Sequence, residues 1–447
     1  MTTRGAFLCA DIGTSSIKAG FVAPDGILIA GTRIPYTSSE APSLPAAAWE
    51  EGFYRALRRL YEKAPGTAVL AISISGNGPT LVPLAQDGRA FAPLHWHEAV
   101  ELRWRGIGGP SLFLPAVSQY FEERAADAAA TRLLVSSQEW LSMRLGADPF
   151  TCLATESYAT WYWNLKQIAA RGLEPKLFPP CVLAGSIVGQ LSAAARSACA
   201  IAPGSPDSIP IVASGPDFMM AILGTACVDE GLACDRAGSS EGLNYCCSSE
   251  RADTLHLGKK GLRVLPHWNG AHSNASAILP PTGARFEEFR RSSGQGGRRY
   301  RDILADIDAA GSCTGPVCNP LAAAGRALVE GLGYAVREGI DRLEDAGLPV
   351  ASLRLSGGQA RNDTWNQLKA DILDKPLVAG AIRDAELAGS AALCLVALGE
   401  AASPAEAARR LWREERIFEP GSARAAYYRE RRAERQAAQA LRAGNTP

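Results

Sequence analysis

Residues 6–12, AFLCADI, are apolar up to an acid near their end; GTSS breaks the run, and residues 17–22 are apolar again. The chain therefore opens as strand, turn, strand, and PDG at residues 24–26 adds a second turn, which together resemble the opening meander of a mixed sheet. Apolar residues at helical spacing over 49–61 predict a helix, and the run at 69–74, ended by SGNGPT, predicts a buried strand. Residues 205–215 read as a loop and a short apolar strand, and DFMMAILGTACV, residues 217–228, as a helix. SSGQGGRR, residues 292–299, is polar and glycine-rich, which predicts a surface loop. A stripe at 321, 324, 328, 332, 335, 336, 340 and 343 predicts a long helix that stops at Gly347. A strand at 352–355, the turn SGGQARND and a helix over 364–373 follow, and a charged, alanine-rich surface helix covers 424–442. Strands alternating with helices predict α/β layers, and the lack of a short repeat period excludes a repeat array.

A chain of 447 residues exceeds the usual limit of one core, so two domains are expected. Lys plus Arg and Asp plus Glu both total 46, so no net field recruits nucleic acid or an anionic membrane, and a small molecule is the expected partner. The N-terminal apolar stretch is cut by Asp11, too early for a signal or a span, which leads to the expectation of a cytoplasmic protein. Eleven cysteines without a CxxC pattern, beside five histidines, argue against zinc and against a disulfide framework. Reduced, mostly buried thiols are expected, with the neighbours Cys246 and Cys247, and Cys313 and Cys318, too weakly constrained to pair on sequence. Sequons at Asn274 and Asn362 carry no weight without a secretion route.

The candidate chemistry lies in the turns. In DIGTSSIK, Gly13 admits close approach to the backbone, Thr14, Ser15 and Ser16 add hydroxyl donors, and Asp11 at the strand end can hold Mg²⁺ through its water shell. Two more glycine turns follow in order: Gly238-Ser239-Ser240-Glu241-Gly242, then Gly357-Gly358-Gln359-Ala360 between a strand and a helix. Strand, glycine turn, helix suits anions and nucleotides, and the absence of GxxxxGK[ST] and GxGxxG removes the P-loop and Rossmann readings.

The chain resembles the FGGY carbohydrate kinase family of the actin-like ATPase superfamily. DIGTSSIK resembles its first phosphate loop, GSSEG the second, LSGGQARNDTWNQLKADIL the adenosine motif and IPIVASGPDFMMAILGTACV the segment with the catalytic aspartate. ISISGNGPTLVPLAQDGRA, PLHWHEAVE, EGLGYAVREGIDRLEDAG and DAELAGSAALCLVALG agree in order, so the likeness runs from about residue 6 to about residue 430. It implies an α/β fold of two RNase H-like domains, mixed sheets flanked by helices, here 1–230 and 231–447, with the active site in the cleft between them.

The resemblance also implies roles. Asp217 would be the general base, with a further option as a metal ligand, and Asp11 would organise Mg²⁺. Gly13, Thr14, Ser15 and Lys18 would face the phosphates of ATP, with Gly238, Ser239 and Ser240 at the γ-phosphate. Gly357, Gly358, Gln359 and Asn362 would border adenine and ribose, and Asn77, Trp96 and Glu98 would meet the acceptor. The sugar side departs from the family pattern: Ser75 to Thr80 lacks the Met-His pair of xylulokinase-like members, and Val100 stands where an arginine is usual. Glu241 stands where glycine is usual and would repel phosphate unless it points away or reaches Mg²⁺. The implied activity is transfer from Mg-ATP to a hydroxyl of a neutral ketose, pentulose such as xylulose, or polyol. Two alternatives stay open, a kinase for an unusual polyol or sugar derivative and a non-catalytic nucleotide- or sugar-binding sensor. Dimers are common in the family, so a homodimer is one implied state.

Overall fold

A computed structural model describes residues 5–36, 44–98, 106–107, 109–238, 240–309 and 320–444. The chain divides into two compact units: Met1–Val228 with Pro266–Gly270 and Asp384–Arg413, and Asp229–Leu265 with Ala271–Arg383 and Glu414–Pro447.

The first unit contains β1 (Gly5–Ile12), β2 (Ser16–Val22), β3 (Leu28–Pro35), β4 (Ala68–Gly76), β5 (Leu81–Ala85), β6 (Thr131–Ser136), β7 (Thr151–Leu153), β8 (Cys181–Leu183), β9 (Ile187–Gln190) and β10 (Pro210–Val212). Its six-stranded sheet has the order β3-β2-β1-β4-β10-β9. β1 to β3 form the expected antiparallel meander, whereas β4 lies parallel to β1 and β10 parallel to β4. Every residue of β1 from Ala6 onward is buried, as a strand covered on both faces requires. β5 pairs with β6 and β7 with β8 in two small ribbons.

The second unit contains β11 (Ala233–Ala237), β12 (Glu241–Ser248), β13 (Arg263–Pro266), β14 (His272–Ile278), β15 (Leu353–Ser356), β16 (Leu377–Gly380) and β17 (Glu414–Phe418), in the order β13-β14-β12-β11-β15-β16-β17. β14-β12-β11 is an antiparallel meander, and β15 and β16 continue it in parallel. This repeats the β3-β2-β1-β4-β10 arrangement, so the turn after β11 occupies the same topological place as the turn after β1. The predicted long helix is Pro320–Asp345, which buries Val329, Leu332, Val336, Ile340 and Leu343 along one stripe. The 292–299 segment is a turn between the helices Thr282–Ser292 and Tyr300–Ala309, and the helix over 217–228 is shorter than expected, Asp217–Gly224.

The main boundary falls at Val228/Asp229, beside the expected residue 230, and two later segments also join the first unit. Helix Ala385–Ala397 is buried all round from Ala385 to Leu395 and packs in the first unit, against helix Asp217–Gly224, β1 and β4. A helix this apolar, with only Glu386 and Ser390 polar among its residues, has to be enclosed on most of its faces. The two helices touch backbone to backbone: a Cβ on Gly224 would lie 1.8 Å from the Ala385 carbonyl oxygen, and one on Gly389 would lie 2.2 Å from that of Met220. Residues 266–270 join the same unit, where the Trp268 indole N–H donates to the Met219 carbonyl at 3.0 Å.

The described cysteines have free thiols and are buried apart from Cys181; Cys313 and Cys318 lie outside the described residues. Helix Ser137–Leu145 starts with a capping box in which Glu139 accepts from the Ser136 N–H at 2.7 Å and, outside the box, from the Cys152 N–H at 3.1 Å. Burial pushes Glu139 up to about 7, against the lowering effect of those backbone N–H groups.

Two outcomes follow. Gly389→Ala forces apart two backbones with no side chain to yield, so the first unit is expected to lose at least roughly 1–3 kcal/mol, read as an earlier thermal transition. Glu139 binds its proton more tightly when folded than when unfolded, so its contribution is full below pH of about 4 and is lost as pH rises to about 7, by up to roughly 3 kcal/mol. Urea midpoints at the two ends of that window should differ less in Glu139→Gln than in the unaltered chain; equal slopes would contradict the assignment.

Candidate functional site

In the first unit the candidate residues gather at the carboxyl ends of three neighbouring parallel strands. Asp11 and Ile12 end β1, Gly76 ends β4 beside Ile12, and an isolated bridge pairs Gly76 with Pro216, the residue before Asp217. β1 and β10 are two strand spacings apart, about 10 Å. The chain leaves β1 toward one side of the sheet and returns on the other, and such a switch point at strand carboxyl ends is where α/β sheets take ligands.

Asp11 is 1% exposed and held at both oxygens: Ser75 Oγ donates to one at 2.8 Å, and the Lys18 ammonium lies 3.0 Å from the other. Lys18 sits opposite Asp11 in the β1–β2 register and also pairs with Glu386, from the helix Ala385–Ala397, at 3.2 Å. Burial alone would lower the Lys18 pKa, but the carboxylates of Glu386 and Asp11 outweigh it and the net direction is upward. The structure thus places Lys18 as an inward ion-pair partner of Asp11. Gly13 closes the turn through its N–H to the Ser16 carbonyl at 3.0 Å, leaving Thr14 and Ser15 exposed. Asp217 occupies the first turn of its helix, half-buried, with Oδ1 accepting from the Phe218 N–H at 2.6 Å.

The residues expected on the acceptor side lie in three different settings. Asn77 is buried, and its side-chain oxygen accepts from Thr80 at 3.2 Å and Ser137 at 3.3 Å, which ties the loop after β4 to helix Ser137–Leu145. Glu98 closes a turn by accepting from the His95 N–H at 3.1 Å. Trp96 is 38% exposed and donates its indole N–H to Thr14 Oγ1 at 3.0 Å. Val100 lies outside the described residues.

In the second unit the Gly238 N–H donates to the Ser240 carbonyl at 2.8 Å; Ser239 lies outside the described residues. Gly357 has φ 89°, and a Cβ there would lie 2.3 Å from the Ala237 carbonyl oxygen, so only glycine lets the end of β15 approach the end of β11 this closely. Gly358 is exposed with open space where a Cβ would stand. Gln359 donates to the Gly238 carbonyl at 3.2 Å and to Thr282 at 2.9 Å and accepts from the Trp365 indole at 2.8 Å, so it braces both glycine turns. Asn362 caps helix Asp363–Leu373 through the Trp365 N–H at 3.1 Å.

Glu241 points into the core. It is 3% exposed and bonds Thr282 and the Lys369 ammonium, which also holds Asp235. Burial, then the Glu241 charge, push Asp235 up to about 7 despite Lys369.

Ser75, Glu386, Thr80, Ser137, Thr282 and Lys369 were absent from the candidates drawn from sequence. Ser75 and Thr80 lie in the loop singled out in the sequence, and Thr80 bonds Asn77 three residues away; Glu386, Ser137, Thr282 and Lys369 are joined to their partners by long-range packing. The donor set at Asp11 fits Mg²⁺ held through water: Ser75 and Lys18 take two of its roughly four lone-pair sites, and the remainder can accept from coordinated water.

Residues 296–398 match the model of the FGGY family of carbohydrate kinases, C-terminal domain. A curated relative, the L-fuculokinase of Escherichia coli O157:H7, is 28% identical over 278 residues, which is 57% of this chain and 56% of that protein. The chain thus spans a little over half the length of that relative. The fold is that of a xyloylose kinase from Brucella ovis, with TM-score 0.76 and 19% identity over 98% of this chain and 100% of the other. It is also that of Plasmodium falciparum glycerol kinase solved with ADP, with TM-score 0.72 and 14% identity over 100% and 99%. Residues 296–398 are thus similar in sequence to the C-terminal domain of the FGGY family of carbohydrate kinases, and the two mixed sheets share the fold of these solved kinases.

Proposed function

We propose that the chain transfers the γ-phosphoryl group of Mg-ATP to a hydroxyl of a small neutral sugar or polyol, with Asp217 as general base. The observation that supports this most is the pair of carboxylates, Asp11 at the end of β1 and Asp217 at the start of the helix that follows β10, in the unit whose turn after β1 exposes two hydroxyls.

An attacking hydroxyl sheds its proton as the bond to phosphorus forms, so a carboxylate acts by position more than by basicity. Asp217 at a helix start is aimed by a rigid element, and its Oδ1 bond to the next N–H fixes one carboxylate oxygen. Thr14 and Ser15 would donate to phosphate oxygens, and the Gly357–Gln359 turn with Asn362 would border the adenosine. Mg²⁺, when bound near Asp11, would neutralise charge on the transferring group. Lys18 would keep Asp11 oriented.

Xylulose is the leading candidate, and an unusual polyol the next. The Glu241 carboxylate, which at the second glycine turn would weigh against phosphate binding and so favour the sensor, is paired with Lys369, which supports the kinase reading.

The test is ADP release with Mg-ATP and D-xylulose, L-fuculose, glycerol or gluconate. A neutral member should stimulate release, and Asp217→Asn should lower kcat by about 10²–10⁴ while the variant stays folded. Nucleotide binding without turnover on any acceptor would favour the sensor.

A further inference from the structure

One side-chain hydrogen bond joins the acceptor-side segment of the first unit to its phosphate-side turn. The Trp96 indole N–H donates to Thr14 Oγ1 at 3.0 Å, and the Trp96 backbone N–H donates to Thr80 Oγ1 at 3.3 Å. Thr80 then donates to Asn77 Oδ1 at 3.2 Å, and Ser137 donates to the same oxygen at 3.3 Å. The chain of bonds runs from the start of helix Ser137–Leu145, through the loop after β4, to an exposed threonine on the turn after β1.

The chemistry of the last link has a direction. An indole N–H can only donate, and a threonine hydroxyl accepts at two lone pairs and donates one proton. With one lone pair taken by Trp96, the Thr14 proton has to go to another acceptor, and a bond received at the oxygen strengthens the one it gives. The bond also selects among the staggered positions of the Thr14 side chain, so less freedom remains to be lost when an anion arrives.

We propose that Trp96 is a positioning residue that aims the Thr14 hydroxyl at a phosphate oxygen and so sets the nucleotide affinity of this turn. The inference rests on the kinase reading. It gives Trp96 a task that does not require its ring to touch the acceptor, and it explains why a large, 38% exposed indole is held by its one polar atom to a residue far away in sequence.

Binding of a non-hydrolysable Mg-ATP analogue, measured by titration calorimetry at fixed salt on the full chain, tests it. Trp96→Phe keeps an aromatic ring without the N–H and should weaken binding about two- to tenfold, the worth of one neutral hydrogen bond. Thr14→Val should lose at least as much, and Thr14→Ser, which keeps the hydroxyl, should retain the affinity. In the Thr14→Val background, adding Trp96→Phe should cost nothing more. Unchanged affinity in Trp96→Phe, or losses that multiply in the double variant, would overturn the inference. Should Trp96→Phe fail to fold, Trp96→His, which restores a ring N–H, must bind more tightly than Thr14→Val. A wild-type chain that binds no analogue at all overturns the kinase reading, and this inference with it, a result distinct from equal binding by wild type and Trp96→Phe.

Discussion

The close crossing of helices Asp217–Gly224 and Ala385–Ala397 is the constraint on which the first unit depends. Gly224 against the Ala385 carbonyl and Gly389 against the Met220 carbonyl bring two backbones to a separation that any larger residue would widen. That crossing enrols residues 384–413 in a unit otherwise made from the first half of the chain. It also fixes two chemical groups at once, because Asp217 begins one helix and Glu386 lies in the first turn of the other. Glu386 holds Lys18, and Lys18 holds Asp11.

Each unit buries one lysine between two carboxylates, Lys18 with Asp11 and Glu386, and Lys369 with Asp235 and Glu241. Removing three charges from water is costly, and apolar replacements would often be at least as stable. The benefit of such a triad is geometric, since a carboxylate with a defined partner has a defined direction. In the first unit this orients Asp11 at a strand end. In the second it draws Glu241 inward, away from the turn that Gly238 and Ser240 form, and leaves the turn without the negative charge its sequence suggested.

The order of the turns, the meander of β1 to β3 and the stripe of helix Pro320–Asp345 were legible in the sequence because each is local: alternation, glycine punctuation and a period near 3.6 residues. The duplicated sheet order was not, since β3-β2-β1-β4-β10 and β14-β12-β11-β15-β16 share a path without a repeating sequence. The membership of residues 384–413 was hidden too: a mostly apolar helix announces burial but not its partners. The direction of the Lys18 and Glu241 side chains was not legible, because sequence gives a residue's place in a turn, and strand alternation together with a partner more than a hundred residues away decides which way it points. Gln359 and Asn362 were legible in position, and the bonds that occupy them, to Gly238, Thr282 and Trp365, were not.

The two glycine turns also differ from a simple cradle of amides. A turn between strands is expected to offer its N–H groups to an anion. Here the Gly13 N–H is committed to the Ser16 carbonyl and the Gly238 N–H to the Ser240 carbonyl, each closing its own turn. These two glycines therefore permit the tight closure, and under the kinase reading the hydroxyls at the tip would carry part of the recognition. Hydroxyls can rotate and amides cannot, so a turn that relies on Thr14 and Ser15 needs something outside itself to set their direction. This is why the residues that steady the turn, Ser75 and Lys18 below it and Trp96 beside it, matter as much to the site as those that would meet the ligand.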